Sequence, residues 1–216
     1  MYRDDDRIHV IEIDKDKEVE VGEEPTAGLG DVVSSLMGAE GEGLDKYGVM
    51  TLMDDIKAES VKPIIEWILK NNFMASQFDV LTLIINSGGG SVTDAFALID
   101  TMKGSGIPVR TVGLGEISSA ALMIFMAGEK GQRILTPNTS ILSHQYSWGK
   151  WGKEHELITA NKAFELTSTM ITEHYKKCTG MSEKKIREVL LPPHDVWLSA
   201  KDAKKYGICD DIKDLY

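Results

Sequence analysis

Val80-Leu-Thr-Leu-Ile-Ile85, running into Asn86-Ser-Gly-Gly-Gly-Ser91, is the stretch whose reading decides the fold. Six uncharged residues stopped by three consecutive glycines predict a core strand ending in a turn, where backbone passes close to something else. Working outward, apolar residues at 95, 96, 98, 99 and 102 share one helical face over residues 94–102, before Gly104-Ser-Gly106 and Pro108 end the helix. Residues 109–114 read as a second strand, Gly115-Glu-Ile-Ser-Ser119 as a corner, and residues 120–127 as an apolar helix stopped by Gly128. Two such strands joined by a helix are expected to lie parallel with a right-handed crossover. The glycine loop and the 115–119 corner then emerge on one side, where α/β sheets bind ligands. Backbone N–H groups from the loop and from the turn after Ser119 are placed to converge on one oxygen, as an oxyanion hole requires. On these residues alone, Ser119 fits a helix cap as well as a nucleophile.

With 216 residues the chain can form one domain with a substantial core. A formal net charge of −10 argues against a nucleic-acid surface. The charge is uneven: residues 1–46 hold 14 acids and 5 bases, leaving 20 and 19 for the remainder. We therefore expect an acidic N-terminal segment at 1–46, flexible or partly ordered, ahead of a folded body at 47–216. Cys178 and Cys209 suggest neither a disulfide scaffold nor a paired-thiol metal site, and fit a reducing compartment. No apolar signal core opens the chain and no apolar run approaches spanning length, so the expectation is a soluble cytoplasmic protein without a membrane partner.

In the acidic segment, residues 8–13 and 19–21 form a candidate hairpin, and residues 22–45 have the composition of a mobile linker. The body is expected to open with a strand at 47–53 and a helix at 60–70, capped by Ser60, with Pro63 in its first turn and Val61, Ile64, Ile65, Ile68 and Leu69 buried. Residues 132–135 and 140–143 read as short strands, the second ending at His144 on the ligand side. A lone histidine there is more often a hydrogen-bonded structural residue than a proton-transfer group. His9, His155 and His174 are expected to be solvated. Residues 154–178 form a long amphipathic helix with Leu157, Phe164 and Ile171 seven apart, preceded by the arm Ser147-Trp-Gly-Lys-Trp-Gly152. Its apolar stripe must be covered, either by its own sheet or by another copy of the chain. A helix at 182–190, Asp195 at the edge of an apolar stretch, a helix at 199–206 and an apolar patch at Ile208 and Ile212 complete the chain. Asp195 could orient His144, but on its own it reads as a turn residue.

Four separated motifs in this order resemble the ClpP family, the proteolytic subunits of the Clp protease, from about residue 47 to the C-terminus. Ile85-Asn-Ser-Gly-Gly-Gly-Ser-Val92 is similar to the family's Ile-Asn-Ser-Pro-Gly-Gly-Ser-Val loop, and Gly115-Glu-Ile-Ser-Ser119 to its Gly-Gln-Ala-Ala-Ser nucleophile turn. Leu142-Ser-His-Gln145 resembles its Met-Ile-His-Gln strand end, and Asp195-Val-Trp-Leu-Ser-Ala200 its Asp-Arg-Phe-Leu-Ser-Ala segment. The resemblance implies a crotonase-like α/β spiral of β-α-β units with a projecting helix-and-arm handle. It implies Ser119 as nucleophile, His144 as general base and Asp195 as the group holding the imidazole, with the N–H groups of Gly90 and Ala120 as the oxyanion hole. The implied activity is endopeptidic hydrolysis of unfolded polypeptide through an acyl-enzyme on Ser119. Two stacked heptameric rings of this chain, an AAA+ ATPase unfoldase as partner, and no metal or cofactor in the subunit are implied with it.

Three departures accompany the match. Gly88 stands where the family has proline, Ala120-Ala121 where it has Met-Gly, and Thr82 and Ile84 where it commonly has tyrosines in the pocket that receives ATPase loops. Two other classes stay in view: a catalytically silent structural ring subunit, against which the intact Ser, His and Asp set argues, and a crotonase-fold acyl-CoA enzyme, which would not need Ser119. A Ser–Lys dyad would draw on Lys130 or Lys150, and no motif supports either.

Overall fold

The computed structural model describes residues 43–74 and 76–214. The candidate hairpin and all but the end of the linker lie outside them. After a single 3-10 turn at Leu44–Tyr47, the strands are β1 (Val49–Leu52), β2 (Leu81–Ser87), β3 (Val109–Ser118), β4 (Arg133–Leu135), β5 (Ser140–Ser143), β6 (Val196–Ser199) and β7 (Asp211–Ile212). The helices are α1 (Ala58–Phe73), α2 (Val92–Gly104), α3 (Ala120–Met126), α4 (Glu154–Thr179), α5 (Glu183–Val189) and α6 (Ala200–Lys205). The expected succession of β-α-β units is present, and the chain has the α/β fold that the motifs imply.

β1, β2, β3, β4 and β7 lie side by side and parallel, while β5 pairs with β3 off this path. Strand β3 divides its partners. Residues 111–113 pair with β4 and residues 116–118 with β5. The division arises at a bulge: Ile85 opposes Gly113 but Ser87 opposes Ile117, so β3 carries two extra residues. Bulges bend the strand that contains them and re-aim the side chains beyond the bend. Gly115 takes φ 58° at that point, and the Asn86 side-chain oxygen accepts from the Glu116 N–H at 3.1 Å, holding the offset register. Residues 115–118, expected as a corner, are therefore the second half of a strand, and the chain turns only at Ser119.

β6 runs antiparallel to β5, with Ser143 opposite Val196. That single reversal matters for the site. Parallel β2, β3 and β5 end at one edge of the sheet, and the antiparallel β6 begins there. The ends of three strands and the start of a fourth thus meet without any long loop.

β2 alternates: Leu81, Leu83, Ile85 and Ser87 are buried, while Thr82 and Ile84 are half-buried. It is a strand with one covered face, and the other face, with Val49, Arg110, Val112 and Ile134, lines an open cavity. The covered face meets Val61, Ile64 and Ile68 of α1, Ala95, Leu98 and Ile99 of α2, and the whole of α3 in one core. Helix α1 starts earlier than expected. Its N-cap is Lys57, whose N–H donates to the Ser60 hydroxyl at 3.1 Å, so Ser60 acts from inside the first turn. Leu69 is turned outward, at 41% exposure.

Helix α4 closes the body. Ile171, Thr172, His174, Tyr175 and Cys178 are its buried residues, all in the C-terminal third. The buried Arg133 guanidinium fastens that end, donating to the Cys178 carbonyl at 2.9 Å and, through two nitrogens, to both carboxylate oxygens of Asp210 at 2.6 and 2.8 Å. His174 is a correction to the solvated histidine expected there. Its Nε2–H donates to the Met123 carbonyl at 2.8 Å, and burial pulls its pKa below the ordinary value, against the opposing effect of that bond. Spacing among charged neighbours did not reveal which side of the helix faced the core.

Candidate active site

Ser119 is the one non-glycine residue with positive φ among the described residues, at φ 54° and ψ −121°. Such a backbone costs about 1–3 kcal/mol and persists only where its surroundings enforce it. Three features enforce it here. The Ser119 N–H donates to the Leu142 carbonyl at 2.9 Å, α3 begins at the next residue, and the chain leaves a strand to enter it. A sharp strand-to-helix turn of this kind lifts the serine hydroxyl clear of the sheet.

Neighbouring serines have other employment. Ser118 is buried and donates to Glu116 at 2.6 Å, Ser87 accepts from the Gly89 N–H at 3.2 Å, and Ser91 caps α2 by accepting from Asp94 at 3.3 Å. Ser119 is partly exposed and its side chain caps nothing. The helix-cap alternative is thereby set aside.

The glycine loop sits against this turn as close as backbone allows. A Cβ on Gly89 would stand 2.7 Å from the Ser119 Cβ and 2.8 Å from the Ser118 carbonyl oxygen, and a Cβ on Gly90 would collide with the Ile56 carbonyl. Ile56 bonds to both neighbours of Gly90: its N–H donates to Gly89 at 2.7 Å and its carbonyl accepts from Ser91 at 2.7 Å. In a parallel bridge of this form the central residue turns its own N–H away from the partner strand. Gly90 N–H therefore points away from Ile56. Ala120, first residue of α3, has no intrahelical acceptor for its N–H.

Gly90, Ser119, Ala120 and His144 all line one cleft of about 230 Å³, with Val92, Met123, Tyr146, Ile171 and Tyr175 supplying apolar wall. The structure thus brings four of the five expected site residues into one cavity. Asp195 is not among the residues that line it: it is exposed and directly precedes Val196, which faces Ser143 in the β5–β6 register. Among the described hydrogen bonds none joins Ser119 to His144 or His144 to Asp195. Catalytic hydrogen bonds are commonly long before substrate binds. Neither alternative lysine reaches the cleft. Lys130 lines a separate cavity beside His174 and Cys178, and Lys150 lies exposed in the arm. Among the described residues, no group of three or more His, Cys, Asp or Glu side chains is placed to hold a metal ion. No described helix is long and apolar enough to cross a membrane.

A strained serine between a strand and an apolar helix, with a histidine, Gly90 and Ala120 lining the same small cleft, is an arrangement that can perform acyl transfer: attack on a carbonyl, proton removal and oxyanion stabilisation. Comparison with known proteins agrees with that chemistry. The family model described as Clp protease matches residues 40–215. ATP-dependent Clp protease proteolytic subunit 2 of Corynebacterium diphtheriae is 35% identical over 132 residues, 61% of this chain and 65% of that protein. Its proteolytic subunit 1 is 36% identical over 135 residues, 62% of this chain and 64% of that protein. Each match covers just under two thirds of the relative. With the family model covering nearly the whole described body, the chain belongs to the Clp protease family.

Proposed function

We propose that the protein is a serine endopeptidase that hydrolyses unfolded polypeptide through an acyl-enzyme on Ser119. The observation that carries this is the backbone of Ser119, strained at φ 54° at the mouth of a cleft it shares with His144. His144 takes the Ser119 proton as the hydroxyl attacks the scissile carbonyl, the Gly90 and Ala120 N–H groups receive the oxyanion, and His144 returns the proton to the leaving amine. Water then repeats the sequence to release the acyl group. Asp195 holds the imidazole in the tautomer that accepts from Ser119. Each oxyanion donor is worth roughly 10²–10³ in rate, so the Gly89–Gly90 approach matters nearly as much as the triad. No resident cofactor enters this route.

The working form is a homo-oligomer, two stacked heptameric rings in the cytoplasm, fed by a ring ATPase unfoldase. The exposed apolar side of α4 supports an oligomer: Leu157, Ile158, Leu166 and Met170 are 40–64% exposed and Trp151 in the arm is 97% exposed. Thr82 and Ile84 in the cavity on the open face of the sheet give the ATPase a contact surface without tyrosine. Covalent labelling with a fluorophosphonate, read by peptide mapping beside Ser119→Ala, tests the reading. Labelling at Ser119 alone is the expected result, and an assembled protein that takes no label overturns it.

A further inference from the structure

The residues on either side of His144 are both tied to the end of α5. That helix stops at Val189, so the carbonyls just beyond it have no helical N–H to receive. Two side chains from the β5 end take them up. Ser143 Oγ donates to the Leu190 carbonyl at 2.7 Å, and Gln145 Nε2 donates to the Leu191 carbonyl at 3.0 Å. Ser143 is fully buried, as is Leu190, and Leu191 is nearly so. The Ser143 bond is thereby shielded from competition with water, whereas Gln145 is exposed and its bond is only partly covered.

A third group stands behind Ser143. Tyr175 of α4 has its hydroxyl 3.1 Å from Ser143 Oγ. Proton accounting fixes the direction. Ser143 has one hydroxyl proton, the Leu190 carbonyl can only accept it, and so Tyr175 must be the donor to Ser143. Burial pushes the Tyr175 pKa up to about 12, which keeps that proton in place at any working pH. The chain runs Tyr175 to Ser143 to Leu190. From Leu191 the path to Asp195 is short and stiff, because Pro192 and Pro193 each have φ locked.

We propose that Ser143 and Gln145, with Tyr175 behind Ser143, are positioning residues that clamp the backbone of His144 against the loop carrying Asp195. None of the three needs to touch the reacting atoms for this role. The clamp rests on the peptidase reading above and adds to it a reason why His144 and Asp195 keep their register when the arm or a substrate moves. The geometry accounts for a second fact: Tyr175 and Ile171 line the cleft from α4, so the helix that bears the exposed stripe also holds the histidine strand.

The test uses the full-length assembled protein as wild type, Ser143→Ala and Tyr175→Phe, with the double variant beside them. The readouts are hydrolysis of a fluorogenic peptide, the rate of fluorophosphonate labelling at Ser119, and hydrogen exchange over residues 190–196. We expect Ser143→Ala to lower kcat about tenfold with KM within about twofold, the labelling rate to fall with kcat, and exchange over 190–196 to quicken while α1 stays unchanged. Tyr175→Phe should fall the same way by a smaller factor, and the double variant should be no slower than Ser143→Ala, because the groups act in series. An active wild type with both single variants matching it in kcat overturns the clamp and leaves the peptidase reading standing. A rise in KM with kcat unchanged overturns it too, because a residue that positions His144 acts on the chemical step and not on substrate binding. A wild type that neither hydrolyses the peptide nor takes the label overturns the peptidase reading, and the positioning role with it.

Discussion

Helix α4 has two halves of similar apolar content and opposite circumstances. Toward its C-terminus, Ile171, Tyr175 and Cys178 are 2–7% exposed, riveted to the body by His174 on Met123, Tyr175 on Ser143 and Arg133 on the Cys178 carbonyl. Toward its N-terminus, Leu157, Ile158 and Leu166 are 40–64% exposed, and the chief contact is Phe164, stacked on Trp148 and Tyr146 of the arm at 5.0 and 5.8 Å. Seven-residue spacing runs unbroken through both. The difference teaches that an apolar stripe states a need for a partner without naming it: one half finds the partner within its own chain, and the other leaves its apolar surface exposed.

Under this division, chemistry, folding and assembly should come apart under mutation. Ser119→Ala touches neither half and should produce the largest effect, a loss on the order of 10⁶ in kcat with sedimentation and melting unchanged. A variant that falls out of its oligomer would break the separation. Asp210→Ala strips the partner from the buried Arg133 and loosens the inner half, which should cost about 3–5 kcal/mol in denaturant unfolding. Acid should act in the same direction. Burial raises the Asp210 pKa, but the hydrogen bonds and charge of Arg133 more than offset that, so its folded pKa is lowered. The stability it contributes is complete above the ordinary carboxylate range and is lost as pH falls through the lower folded value.

Leu157→Glu with Leu166→Glu tests the outer half. Both side chains are exposed, so the fold of the protomer should lose less than about 1 kcal/mol while the oligomer shifts to smaller species in sedimentation. An unchanged sedimentation profile would deny the outer half its role. The smallest effect sharpens the inner half. His174 has a pKa held down by burial, with Lys103 and Lys177 lowering it further and Asp100 opposing them. Unfolded chains take up that proton near the ordinary histidine value, so stability is full above it and declines as pH falls toward the lower folded value. His174→Asn, which can still donate to Met123, should reduce the drop in melting temperature between pH 7 and pH 5. An identical drop in both proteins would place the pH sensitivity elsewhere.

Local chemistry made much of this legible beforehand. β2, the glycine loop, α2 and α3 were readable because apolar period, glycine and proline act over a few residues. Ser119 stood out by its place at a strand-to-helix junction, where a cap and a nucleophile read alike, and Gly90 and Ala120 were named individually only through motif resemblance. His144 and Asp195 were identifiable only through motif resemblance, since nothing near either residue sets it apart from a turn or structural group. The bulge in β3 was not visible, because two extra residues in one strand become a defect only against the register of its neighbour. Nor was β6, since Val196-Trp-Leu-Ser199 is too short to declare a direction until β5 pairs with it. The Ser143 clamp depends on carbonyls that become orphans only where α5 happens to end.

By itself, then, the sequence determined the alternation of strands and helices, the glycine loop and the serine at the head of α3, because backbone preference and apolar period are properties of neighbours along the chain. Tertiary structure alone decided that Ser119 would be strained, that β6 would run antiparallel to β5, whose end leads into His144, and which half of α4 would be covered. Those outcomes are set by contacts between residues far apart in sequence, by 51 positions for His174 on Met123 and 77 for Arg133 on Asp210, whose energies exist only once the sheet has closed around its core.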